Sequence, residues 1–172
     1  MQEGYPFIFQ MNDRTYSDEK LEYVMQYRFK SKKSKHTYIV LVEKYIEHTY
    51  CLKFFDKANK LSKNKYSLRT STFEPRRIVS TVLNIMLDVL KQDEKASFFF
   101  IGAEDEKDVA GKATRRFKFY ADFVLSVVSD KLFAHYRIDP LSLYILINKK
   151  YVDDVESRLN TIIKFVADAM QP

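Results

Sequence analysis

Two hydrophobic rhythms run along the chain, and one gives way to the other near residue 72. Over residues 20–30, KLEYVMQYRFK, the apolar Leu21, Tyr23, Met25, Tyr27 and Phe29 alternate with Glu22, Gln26, Arg28 and Lys30. A period of two belongs to a half-buried β-strand. SKKSK follows as a polar turn. HTYIVLVEKY and TYCLKFF come next, rich in β-branched and aromatic residues and parted by the short break Ile46-Glu47-His48. The pattern predicts a meander of strands near 20–30, 37–45 and 49–55. A short strand at 5–10 precedes it, KANKLSKNK (57–65) is a loop, and YSLRT supplies one more strand.

Beyond Thr72 the period becomes helical. Thr72 is a candidate N-cap and Pro75 falls in the first turn, where its missing N–H costs nothing. Ile78, Val79, Val82, Leu83, Met86, Val89 and Leu90 then recur at helical spacing, predicting a helix over 74–91. SFFFI (97–101) is a continuous apolar run of strand length, as expected of a central strand buried on both faces. From Thr114 onward, Phe117, Tyr120, Ala121, Val124, Leu125 and Val128 form a helical stripe. LSLYILI (141–147) reads as a strand after Pro140. The closing stretch VDDVESRLNTIIKFVADAM is an amphipathic helix with Val155, Leu159, Ile162, Ile163 and Val166 inward. Asp153 and Asp154 suit its positive N-terminal end.

The expectation is one α+β domain over 1–172: a mostly antiparallel sheet with an N-terminal meander and about three amphipathic helices packed on one face. The 97–101 and 141–147 strands, joined through a helix, are expected to be parallel neighbours or near-neighbours. Strict alternation of strand direction puts the loops at 30–36 and 56–65 at one end of the sheet. It puts the 102–113 loop at the other.

Composition agrees with such a domain. Hydrophobic residues make up 46% of the 172, enough for a core. Three glycines and four prolines are too few for a sandwich built on many tight turns. With 14 Phe, 12 Tyr and no Trp, the core is expected to be aromatic. Cys51 is the single cysteine, so no internal disulfide, CxxC or zinc-type Cys/His pattern exists, and no cofactor is expected. This composition fits a reducing cytoplasm. The start, MQEGYPFIFQ, lacks the charge and apolar run of a secretion signal. No apolar stretch reaches the roughly 18 residues of a membrane span.

The charge of +6 is concentrated rather than spread. Between residues 28 and 65 eleven Lys/Arg stand against Glu43, Glu47 and Asp56. That segment alone carries +8. The loop lysines Lys30, Lys32, Lys33, Lys35, Lys57, Lys60, Lys63 and Lys65 are therefore the leading candidates for contact with an anionic partner, either nucleic acid or an acidic protein. Tyr38, Tyr45 and Tyr66 stand nearby to stack on bases. The commoner role of such loops is to solubilise and protect strand ends.

FFFIGAEDEKDVAGKATRRFKFY (98–120) superficially suggests a phosphate loop, but its chemistry excludes a Walker motif. Eight residues part Gly102 from Gly111, and Ala113 stands where a Ser or Thr would hold magnesium. Glu104, Asp105, Glu106 and Asp108 repel phosphate. Lys112, Arg115 and Arg116 open the following helix, where the macrodipole disfavours cations. The neighbouring acids compensate them, or a bound anion does; Lys112, Arg115 and Arg116 are thus the secondary candidates. No catalytic set is legible. His36, His48 and His135 lack a sequence neighbour that marks a triad or a ligand pair. His36 beside Lys35 and Tyr38 has the elements of acid–base RNA cleavage, though a solvated turn histidine is the plainer reading. Cys51 reads as a small buried apolar residue.

The segments YRFKSKKSKHTYIVLV, LKFFD, IVSTVLNIMLDVL and FFFIG…ATRRFKFY together resemble small uncharacterised Bacteroidetes proteins grouped in families of unknown function. In these a Y-x-F strand leads a meander, a helix follows, and a strand ending near glycine precedes an Arg-x-aromatic-Tyr helix. The resemblance spans residues 23–122. It implies a bacterial protein of this fold and no particular activity.

Three functional classes remain. The first is a non-catalytic binding or adaptor protein that meets an anionic partner through its lysine loops. The second is a phosphodiester hydrolase with His36 and Arg115/Arg116 as actors, with or without a metal. The third is a structural subunit whose sheet edge pairs with a second copy, giving a homodimer.

Overall fold

The computed structural model describes residues 4–62, 74–102 and 114–169. Its elements, in chain order, are strands β1 (Phe7–Asp13), β2 (Leu21–Lys30), β3 (Thr37–Tyr45) and β4 (Thr49–Asp56), helix α1 (Pro75–Gln92), strand β5 (Ser97–Ile101), helix α2 (Arg115–Val127), strands β6 (Phe133–Ile138) and β7 (Leu143–Asn148), and helix α3 (Val155–Ala169). The seven strands form one sheet in the order β1-β2-β3-β4-β5-β7-β6. The expected α+β layout, with its mostly antiparallel sheet and N-terminal meander, is the layout found. The YSLRT strand and the Thr72 cap lie outside the described residues. The residue at the N-cap position of α1 is Glu74, directly ahead of Pro75.

Two expectations about topology give way. β4 and β5 pair in parallel, Thr49 opposite Ser97 and Cys51 opposite Phe99, because α1 carries the chain back along the sheet between them. Alternation therefore stops at β4. The loop that leaves Gly102 starts at the same end as the β2–β3 turn and the end of β4, not the opposite one. β5 and β7 are neighbours but antiparallel, Phe98 opposite Leu146. The reversal comes from β6, a strand the hydrophobic pattern does not reveal. It forms a hairpin with β7 through a single turn at Asp139–Leu141, closed by Ser142 in the left-handed region (φ 48).

The central strands are buried on both faces. On one, Tyr50 and Leu52 of β4, Phe98 of β5, and Tyr144 and Leu146 of β7 pack with Val82, Met86 and Val89 of α1 and Phe117, Ala121 and Val124 of α2. On the other, Cys51, Phe99, Ile145 and Ile147 meet Ile162, Phe165 and Val166 of α3. Helices α1 and α2 thus share a face, whereas α3, expected beside them, takes the opposite one. A continuous apolar run such as SFFFI requires this: each strand residue, up or down, meets a helix. The meander is covered by a helix on one face only, which is why β2 alternates. Aromatic stacking continues the core across it, Tyr5 on Phe29 and Phe29 on Tyr38 with centroids 6.2 and 5.2 Å apart.

One junction ties β5, α2 and β7 together. Gly102 N–H donates to the Ser142 carbonyl (2.8 Å), and Thr114 N–H donates to Ser142 Oγ (2.9 Å). Thr114 Oγ1 then accepts from Phe117 N–H (3.1 Å) as the N-cap of α2. A Cβ at Gly102 would lie 2.5 Å from Phe117 Cβ and 2.9 Å from Thr114 Oγ1. Gly102→Ala is therefore expected to destabilise the fold by about 1–3 kcal/mol, read as a lowered urea midpoint. An unchanged midpoint would mean that α2 moves away from β5 without cost.

Burial raises several tyrosine hydroxyls. Those of Tyr27 and Tyr144 are pushed up to about 12, chiefly by loss of water. Tyr45 and Tyr50 are pushed up further by the same cause. A folded pKa above the unfolded value of about 10 contributes stability that is whole below pH 10 and is lost as pH rises through the folded values. The denaturation midpoint should thus fall steeply between about pH 10 and 12. A flat profile there, followed by tyrosinate absorbance, would contradict these burial effects.

Candidate anion-binding surface

The parallel β4–β5 pair gives the sheet a defined end, at which β2, β4, β5 and β6 all finish. At that end the β2–β3 turn (31–36) lies beside the 3-10 turn Lys57–Asn59 that follows β4. Exposed Lys30, Lys32, Lys33 and Lys35 therefore stand near exposed Lys57 and Lys60, as strand direction predicts. Arg115 and Arg116, which open α2, belong to this same end. Lys63, Lys65 and Lys112 lie outside the described residues.

Part of the patch is concave. A depression of about 520 Å³ is lined by Pro6, Ile8, Arg28, Phe29, Lys30, Ser31, Lys32, Lys35 and Thr37, four cations and no carboxylate. Arg28 and Lys30 sit two residues apart on β2 and share the face away from α1 and α2, opposite the buried Tyr27 and Phe29. Lys32 and Lys35 continue the line into the turn. Lys35 takes a left-handed backbone (φ 66), and the turn closes through Ser31 N–H to the His36 carbonyl (2.9 Å) and Lys35 N–H to the Ser31 carbonyl (2.9 Å). Arg28 was not among the sequence candidates. Its signal was the period-two alternation itself, which sets it on the face of Lys30.

Among the described residues, two carboxylates at this end, Glu74 and Asp56, are engaged. Glu74 accepts from Tyr5 Oη (2.8 Å) and from Ser31 Oγ, and so fastens the start of α1 to the β2–β3 turn. Its charge also suits the positive end of the helix. Asp56, 5% exposed, meets His36 Nδ1 and accepts from Ala58 N–H (3.0 Å), capping the 3-10 turn. The opposite end of the sheet has the other polarity. There a second depression of about 560 Å³ is lined by Asp18, Glu19, Asp168, Lys20, Leu21 and Tyr45, with Lys20 paired to Asp168.

Each histidine has a partner that sequence spacing hides. His36 finds Asp56 twenty positions away. At the acidic end, His48 Nδ1 lies 2.8 Å from Asp93 Oδ2, which also accepts from Tyr50 Oη at 2.8 Å. His135 Nδ1 lies 2.5 Å from Tyr144 Oη on the adjoining strand. Cys51 is fully buried and its thiol is held protonated by loss of water, as expected of a core residue. Among the described residues no three metal-ligating side chains gather, and no helix is long and apolar enough to cross a membrane.

No protein-family model, curated protein or solved structure matches the chain.

Burial raises the Asp93 carboxyl, but hydrogen bonds from His48, Tyr50 and the Lys95 N–H outweigh it and hold it below the usual carboxylate range. A depressed pKa contributes stability above the unfolded value, lost as pH falls through the folded one. Asp93→Asn is expected to cost about 1 kcal/mol at neutral pH, after allowance for solvent screening. The difference from wild type should close below about pH 3. Equal urea midpoints for the two at pH 7 would refute the role.

Proposed function

We propose that the chain is a binding protein for single-stranded nucleic acid, which it meets through the basic end of its sheet. One observation carries the reading: Arg28, Lys30, Lys32 and Lys35 line a single depression without a carboxylate among them. Four cations in a row suit a repeating polyanion better than one phosphate, because each neutralised phosphate releases a counterion. Lys33, Lys57 and Lys60 extend the field at the rim. The acidic depression at the far end gives the molecule a charge dipole, which orients an approaching polyanion toward the basic end. The reading rests on the site.

A labelled single-stranded oligonucleotide should bind at low salt. Affinity should fall with salt at a log–log slope near −3 if all four cations meet phosphates. Changing Arg28, Lys30, Lys32 and Lys35 together to Ala should flatten that slope and weaken binding at least tenfold, with the thermal midpoint unchanged. No anisotropy change at micromolar protein in low salt would end the proposal. Preference for polyglutamate over the oligonucleotide would transfer the surface to an acidic protein.

A further inference from the structure

We propose that the His36–Asp56 pair, with Arg116, is an acid–base centre that cleaves single-stranded RNA held by this surface; the inference rests on the binding reading above. Asp56 closes β4 and pairs across to Tyr38, so it shares the face of Tyr38, Phe54 and the two helices α1 and α2. It is 5% exposed and fixed from two sides, by Ala58 N–H and by His36 Nδ1. A carboxylate on Nδ1 sets the ring's orientation and leaves Nε2 as the nitrogen that a ligand meets. The His36 side chain is 39% exposed, so a ligand can reach it.

His48 has the same arrangement, with Nδ1 2.8 Å from Asp93 and a side chain 44% exposed, but it stands at the opposite end of the sheet from the basic depression. His135 lacks it, since its Nε2 is buried without a hydrogen-bond partner.

Strand and helix register bring Arg116 to the same end of the sheet. Phe54 of β4 packs on Tyr120 of α2 with ring centroids 5.8 Å apart. Asp56 lies two strand residues beyond Phe54, about 6.8 Å. Arg116 lies one helical turn before Tyr120 on the same side of α2, about 5.4 Å, and the N-terminus of α2 points to this end. Both steps run toward the same end of the sheet, so Arg116, half-buried, stands on the helix face at the end that carries the His36–Asp56 pair. Arg115 falls on a different side of α2 and is exposed. Lys35, which precedes His36, already lines the basic depression. His36 follows Lys35 in the same turn but lies on the helix-covered side, so RNA must leave the depression over the end of the sheet to meet it.

The step needs only these groups and the ribose. His36 Nε2 takes the proton of a 2′-hydroxyl. The 2′-oxygen attacks the adjacent phosphorus, and the bond from phosphorus to the 5′-oxygen breaks. Arg116 balances the added negative charge on the phosphoryl oxygens. The Lys35 ammonium gives its proton to the departing 5′-oxygen. The products are a 2′,3′-cyclic phosphate and a free 5′-hydroxyl; His36 then releases a proton to water and Lys35 recovers one. His36 acts on the reacting atoms, and Asp56 is a positioning residue.

The full chain should be tested against one labelled RNA and the same sequence as DNA. The expected result is binding to both, with cleavage of the RNA only, cyclic-phosphate ends, and activity that persists in EDTA. His36→Ala should lower the cleavage rate about 100-fold or more, with affinity for the DNA strand within twofold of wild type. Asp56→Asn should lower the rate and move the acid limb of its pH profile. Because Asp56 also caps a turn, a lowered melting temperature in that variant leaves His36→Ala to decide. Binding without RNA cleavage, cleavage undiminished in His36→Ala, or cleavage abolished by EDTA each overturns the catalytic inference and leaves the binding reading standing. Absence of binding to either strand overturns both.

Discussion

The parallel pairing of β4 with β5 gives this molecule its polarity. Five of the six neighbouring strand pairs are antiparallel ladders, which alone would scatter the loops alternately to the two ends of the sheet. One parallel pair, bridged by α1, breaks that alternation. It puts the end of β4, the end of β5 and the start of α2 on one rim. A parallel pair also demands a crossover helix on one face, and α1 provides it with Val82, Met86 and Val89 against Tyr50 and Leu52. Once α1 and α2 occupy that face, the other face of β5 and β7 must be covered by something else. Helix α3 does so, with Phe165 stacked on Tyr45 at a centroid distance of 5.3 Å.

Local periodicity made most elements legible because each long element carries its own pattern. β2 alternates since only one of its faces is covered by a helix, and SFFFI does not alternate since both of its faces are covered. β6 was hidden for a physical reason. FAHYRI is an edge strand whose polar positions are engaged by neighbours: His135 turns to Tyr144, and Arg137 pairs with Asp122 and Asp139. A strand stabilised by such partners need show no clean hydrophobic rhythm. Its absence from the sequence reading accounts for the wrong direction assigned to 143–148 relative to β5.

The basic surface was half legible, and for a related reason. Loop lysines announce themselves by composition, and the meander's alternating direction was enough to bring the 31–36 and 57–62 loops together. Arg28 required knowing which face of β2 is left without a helix. The His36–Asp56 pair was illegible: the two residues are joined only by the register of β3 on β4, in which Tyr38 faces Asp56. Spacing rules for catalytic or ligand pairs presume one local element, and these residues sit at the ends of two. The expectation that Arg115 and Arg116 lie away from the lysine loops failed on the same point of topology, since their helix begins where a parallel strand ends.

Charge and backbone converge on the β2–β3 turn. Its two ends are held by different anchors: Ser31 by Glu74 at the start of α1, His36 by Asp56 at the end of β4. Both carboxylates in these anchors are engaged by hydroxyls, an imidazole or backbone N–H groups. The left-handed turn at Lys35 separates two sides, with Lys30, Lys32 and Lys35 lining the depression and His36 directed to Asp56 beneath the helices. A turn anchored so firmly keeps its cations in a fixed arrangement. Fixed cations lose less entropy on meeting a polyanion than a floppy lysine loop would.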